Sequence, residues 1–81
     1  MDHKLEIDAT GLLCPLPVLK LRKRMGSLAS GSIIKIITDD PAVIIDIPHF
    51  CNENNHYLIS SNPSTSNLSN QSAHEFFVKK G

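Results

Sequence analysis

The stretch Ser32-Ile33-Ile34-Lys35-Ile36-Ile37-Thr38-Asp39-Asp40-Pro41 decides the fold of this chain. Residues 32–38 form a β-branched run, which favours a strand because such side chains pack well on a pleated surface. Near-continuous isoleucine places that strand in the interior of a sheet, covered on at least part of both faces. Asp39-Asp40-Pro41 then stops the strand and opens a helix. Asp40 takes the N-cap and Pro41 the first helical position, where a missing N–H costs nothing.

Working outward toward the C-terminus, Val43, Ile47, Phe50, Cys51 and Asn54 recur at helical spacing. This second helix should pack through Val43, Ile47 and Phe50. Pro48 lies inside the pattern and is expected to kink or split it. Residues 52–55 end the helix, and 56–60 read as a third strand. Residues 61–72 are almost entirely Ser, Asn, Thr and Pro, the composition of a mobile loop. Asn67-Leu68-Ser69 and Asn70-Gln71-Ser72 within it match the N-glycosylation pattern, but a chain without a secretion signal does not meet that machinery. Residues 74–79 form the last strand, pairing with the third as a long-looped hairpin.

Working outward toward the N-terminus, Lys4-Leu5-Glu6-Ile7-Asp8 alternates polar and apolar, as a half-buried strand does, with Leu5 and Ile7 inward. Ala9-Thr10-Gly11 turns the chain into a helix that begins at Pro15 and runs to about Ser27. Gly26 and Gly31 mark its end and the loop that follows. A strand, a helix and a second strand imply a right-handed crossover and a parallel pair. The expected fold is α+β: a two-layer βαβαββ sandwich, with two helices on one face of a four-stranded mixed sheet.

Eighty-one residues suit one small domain, taken as 1–81. Eight Lys and Arg balance eight Asp and Glu, giving zero net charge, which argues against a dedicated nucleic-acid binder. The N-terminus lacks the pattern of a signal peptide, and no apolar run approaches the roughly 18–20 residues of a membrane span. A cytoplasmic location is expected, with Cys14 and Cys51 reduced.

Cys14 is the one convincing reactive group. At the N-cap of the first helix it would sit at the positive end of the helix dipole, with Gly11 freeing the turn and Pro15 and Pro17 fixing it. That position, a backbone N–H from Leu16 and nearby lysines are expected to lower its pKa modestly. The alternative is a small apolar residue buried at a helix start. Cys51 shares the apolar stripe with Ile47 and Phe50 and reads as a packing thiol. His3, His49, His56 and His74 are scattered without metal-ligand spacing. Asp39 and Asp40 read as helix caps rather than a general base.

Along the first helix, Val18, Leu21, Met25 and Leu28 share the stripe that faces the sheet. Leu16, Leu19, Lys20 and Lys23 gather on the opposite side, flanked by Arg24. They are either a docking surface for a protein partner or a solvated basic face with two stray leucines.

The pattern Asp8-x-x-Gly11-Leu12-x-Cys14-Pro15-x-Pro17-Val18 resembles the signature of the TusA/SirA/YedF sulfur-carrier family. The likeness continues through Asp39-Asp40-Pro41-Ala42, Asp46-Ile47-Pro48-x-Phe50-Cys51, His56-x-Leu58 and Phe77-Val78-Lys79-Lys80. The resemblance implies a small two-layer α/β carrier protein rather than a turnover enzyme. Cys14 would accept sulfur as a persulfide from a cysteine desulfurase. It would pass that sulfur to a downstream relay or thiolation protein, most typically toward 2-thiouridine in tRNA. No cofactor is implied beyond the covalent persulfide, and neither direct nucleic-acid contact nor a membrane. Leu13 and Leu16 depart from the Arg and Glu that members often carry there, making the rim of the thiol more apolar.

Two other functions compete with this expectation. One is a non-enzymatic regulatory or adaptor domain that binds a partner through Leu16, Leu19, Lys20 and Lys23. The other is an RNA-binding module using Lys20, Lys23, Arg24 and Lys35, against which net neutrality and the lack of stacking aromatics both speak.

Overall fold

Every isoleucine of the 33–37 run belongs to a strand in the computed structural model, which describes residues 3, 5–63 and 73–81. In chain order the elements are β1 (Leu5–Asp8), α1 (Leu16–Met25), β2 (Ile33–Thr38), α2 (Val43–Glu53), β3 (Tyr57–Pro63) and β4 (His74–Lys79). The sheet order is β1-β2-β4-β3, with β1 parallel to β2 and the other two pairs antiparallel. The expected βαβαββ mixed sheet is therefore present, with β2 inside it.

Strand register explains the layering. Leu5, Ile34, Val78 and Leu58 stand opposite one another across the four strands, and Ile7, Ile36 and Phe76 form the neighbouring row. Alternate residues of a strand share a face, so these rows line one side of the sheet. They form a single apolar cluster with Leu21 and Met25 of α1 and with Val43, Ile47, Phe50 and Cys51 of α2. Both helices thus cover the same face, each fully buried side chain contributing about 1.5–3 kcal/mol. The other face carries Glu6, Lys35 and Phe77 in register, with Lys35 Nζ 5.8 Å from the Phe77 ring centre. That open face explains why Ile33 and Ile37 are only half-buried while Ile34 and Ile36 are fully enclosed.

Several boundaries differ from the sequence expectation. The helix expected to begin at Pro15 begins at Leu16, with Pro15 as its cap, and ends at Met25 rather than near Ser27. Gly26 stays in right-handed helical geometry, while Gly31 takes the positive φ (+90°) that turns the chain into β2. α2 begins at Val43 rather than Pro41, because its entry is wound by tighter bonds, Val43 N–H to Asp40 C=O and Ile44 N–H to Pro41 C=O. Pro48 does not split α2. Pro48 is exposed, as is Ile44, whose carbonyl its ring leaves without a helical donor. β3 runs on through Ser61, Asn62 and Pro63, whose composition is that of a loop, because β4 pairs with all three. An irregularity at Ile59 shifts the register to allow this. Residues 64–72, with both glycosylation patterns, lie outside the described residues.

Two expectations follow from this core. Ile36→Ala should lower the unfolding free energy measured by urea titration by about 2–5 kcal/mol, while Ile45→Ala on an exposed position should change it by less than about 0.5 kcal/mol. Burial pushes the Cys51 thiol up from 9.0 to about 11, which favours its neutral form in the folded state. Its contribution to stability is intact below pH 9.0 and declines as pH rises toward 11. Thermal melts at matched pH should therefore show the stability advantage of the native chain over Cys51→Ala shrinking across that interval.

Candidate functional site

The connection from β1 to α1 is held at each step. Ala9 N–H extends the sheet by donating to Ile37 C=O at 2.7 Å. Asp8 accepts from both the hydroxyl and the N–H of Thr10, at 2.6 and 3.0 Å, closing a local turn. Those bonds, the hydroxyl one foremost, hold the Asp8 carboxyl below its usual value. Gly11 then takes φ +82°. A Cβ there would meet nothing within 4 Å, so the backbone angle rather than space calls for glycine.

The loop is also clamped from outside. Gly11 N–H donates to Asp39 Oδ1 at 2.9 Å, and Cys14 N–H donates to Asp40 Oδ2 at 2.6 Å. The other oxygen of Asp40 accepts from Ala42 N–H at 3.0 Å, so one carboxylate holds the turn that leads into α2 and fixes the cysteine backbone. Asp40, expected as the N-cap of α2, instead stands two residues before the observed cap, Ala42, and its carboxylate serves the turn and the cysteine loop together.

Cys14 is exposed and lies outside α1 rather than capping it. It joins Pro15 through a cis peptide bond, and the Leu16 N–H expected to serve the thiol instead donates to Leu13 C=O at 2.8 Å. Its sulfur faces a cleft of about 420 Å³ between the helices. Pro15, Val18 and Phe50 supply the apolar wall, while Asp46, His49 and Glu53 line the α2 side. The His49 ring and the Glu53 carboxylate are 3.2 Å apart.

Within this cleft Cys14 Sγ donates a hydrogen bond to Asp46 Oδ2. The Cys14 pKa is raised, not lowered as the sequence led us to expect. The bond to Asp46 is the largest cause, followed by desolvation and then by the charges of Asp46 and Asp40. Donating to a carboxylate stabilises the thiol, and a nearby negative charge penalises the thiolate. The lysines expected to help are not among the charges that act on the sulfur. Lys23 occupies the last turn of α1, at the end of the helix away from Cys14, and Lys20 acts on Asp8 instead.

The remaining expected residues divide cleanly. Pro17 is buried, whereas Pro15 is exposed at the cleft. Leu16 and Leu19 are half exposed, and with Lys20 and Lys23 they share the solvent side of α1. Asp46 is the site residue that sequence reasoning missed. The signal for it was present: Asp46, His49 and Glu53 recur at helical spacing beside the apolar stripe of Ile47, Phe50 and Cys51. Among the described residues, no group of three or more His, Cys, Asp or Glu side chains could hold a metal ion, and no helix is long and apolar enough to cross a membrane.

Comparison with known proteins fits this geometry. The fold is similar to that of a SirA-like protein from Desulfitobacterium hafniense, at a TM-score of 0.80 and 18% identity over 96% of this chain and 99% of that one. The family model described as sulfurtransferase TusA matches residues 5–80, which include the cysteine loop, both helices and all four strands. The chain therefore belongs to the TusA sulfurtransferase family, which suggests a sulfur-carrier or sulfurtransferase role.

Proposed function

We propose that this protein is a persulfide relay in which Cys14 is the carrier. The supporting observation is an exposed thiol on a backbone clamped by Asp39 and Asp40, at the mouth of a cleft, in a TusA-family chain. In the accepting step the Cys14 thiolate attacks the terminal sulfur of a donor persulfide, R–S–S–H. The Cys14 S–S bond forms, the donor S–S bond breaks, and the donor thiolate that leaves takes up the proton Cys14 gave up. In the delivering step an acceptor thiolate attacks the terminal sulfur on Cys14 and regenerates the free cysteine. Both are exchange reactions without net oxidation, so no cofactor is required.

The donor in this reading is a cysteine desulfurase. The acceptor is a downstream relay or thiolation protein in the cytoplasm, on the route to tRNA 2-thiouridine. The protein is a carrier consumed and regenerated stoichiometrically, with Gly11, Pro15 and Pro17 shaping the loop. Leu16, Leu19, Lys20 and Lys23 form the docking face, since exposed leucines close to a reactive sulfur suit a transient interface with an apolar centre and polar rim. A thiol with a raised pKa is mostly protonated at neutral pH, yet its thiolate fraction is intrinsically more nucleophilic, so exchange remains feasible.

Incubation with a cysteine desulfurase and free cysteine should add one sulfur to Cys14, seen by mass spectrometry of the intact protein and its peptides. An adduct that persists unchanged in Cys14→Ser would overturn the assignment. Leu19→Asp should slow loading by the desulfurase about tenfold, the size expected for losing one well-packed interface side chain, while leaving Cys14 alkylation by iodoacetamide unaltered. Unchanged loading in Leu19→Asp would remove α1 from the docking face.

A further inference from the structure

We propose that Asp46 is the positioning residue of this site: it holds Cys14 as a hydrogen-bonded thiol aimed into the cleft between α1 and α2, leaving the sulfur of the unbound protein slow toward electrophiles. The carrier reading provides the biological meaning of this guard, but the chemistry stands on the site itself.

The geometry is specific. Asp46 sits in the first turn of α2, three residues after Val43, whose side chain is fully buried. Ile47, the next residue, is also fully buried, so the helix surface carrying Asp46 cannot drift relative to the core. Cys14 is fixed independently, through its N–H bond to Asp40 on the turn before α2. Both ends of the Sγ to Oδ2 contact are therefore anchored to one short segment, residues 40–47. The contact is between side chains 32 positions apart in sequence, so it depends on the packing of the folded layers.

The surroundings reinforce it. From α2 the groups lining the cleft are Asp46, His49 and Glu53, and His49 is engaged with Glu53. From the β2–α2 turn Asp40 adds a second negative charge near the sulfur. From α1 the cleft receives Val18, and just before it Pro15; no lysine or arginine is among its lining residues. Among the described residues, the charges that bear on Cys14 are thus those of Asp46 and Asp40, and both disfavour the thiolate. Removing the Asp46 charge, rather than adding a base, is what would make the sulfur reactive.

Alkylation by iodoacetamide tests this without any sulfur donor. The thiolate forms an S–C bond, the C–I bond breaks, iodide leaves and the thiol proton goes to solvent. The rate is followed by mass spectrometry from neutral to alkaline pH in a Cys51→Ala background, so that Cys14 alone reacts. Asp46→Asn keeps the shape and an accepting oxygen but removes the charge. It should move the pH midpoint down and raise the rate at neutral pH about three- to tenfold, the upper figure corresponding to one pK unit. Asp46→Ala should do the same, Asp46→Glu should return the profile toward that of the native chain, and Glu75→Gln on the open sheet face should leave it unmoved. Superimposable profiles for the native chain and Asp46→Asn would overturn the proposal. So would a slower reaction in Asp46→Asn, which would make Asp46 a base and not a guard. If Asp46→Ala fails to fold by circular dichroism, Asp46→Asn decides alone. Should Cys14 never accept sulfur from a desulfurase while Asp46→Asn still shifts the profile, the carrier reading fails and the guard survives.

Discussion

The Asp39-Asp40 pair is the constraint on which the rest of the site depends. Two carboxylates at the end of the central strand accept the N–H groups of Gly11 and Cys14, tying the β1–α1 connection to the β2–α2 turn. A hydrogen bond to a charged acceptor is stronger than a neutral one, and a loop held by two of them has little freedom to swing. Because β1 and β2 are parallel neighbours, their C-terminal ends lie side by side, and the two loops that leave them meet there. Crevices beyond the carboxyl ends of parallel strands are where α/β sheets place binding sites, for this same reason. The cysteine is therefore presented by an arrangement of the backbone, and the motif residues around it serve that arrangement.

Charge at the site runs opposite to what a helix start suggests. A helix N-terminus favours a thiolate through its oriented N–H groups, but that influence is confined to the first turn. Cys14 lies one residue outside the cap, the Leu16 N–H is occupied, and the charges that bear on the sulfur are those of two carboxylates, Asp46 and Asp40. The outcome is a protonated, oriented thiol that is exposed and yet not primed. Such a poise limits adventitious chemistry at an exposed sulfur. A permanently activated exposed thiolate would react with any passing oxidant, since susceptibility follows thiolate character and exposure.

The two sulfurs of the chain illustrate how burial separates chemistry from packing. Cys51 is enclosed by the apolar cluster, and desolvation alone drives its pKa upward. Cys14 is at the surface, and a specific neighbour dominates. One thiol is inert because water is excluded; the other is restrained because a carboxylate is present. Only the second restraint can be lifted without unfolding the protein.

Periodicity alone determined the layer architecture of this protein. The isoleucine run at 33–37, the alternation at 5–8 and the helical recurrence of Val43, Ile47 and Phe50 each bury one face, and burying those faces together leaves the two-layer sandwich. Gly11, Pro15 and Asp40 also declared their local roles, because a positive φ, a fixed ring and a short carboxylate act on neighbours a few residues away. Element ends were less legible. The boundaries at Pro15, Pro41 and Pro63 were settled by which N–H groups found partners across the fold, as when β4 drew residues 61–63 into β3. The protonation state of Cys14 was decided by tertiary structure alone. It rests on Asp46 arriving from 32 residues away on the second helix, and electrostatic effects fall off with distance in space, not along the chain.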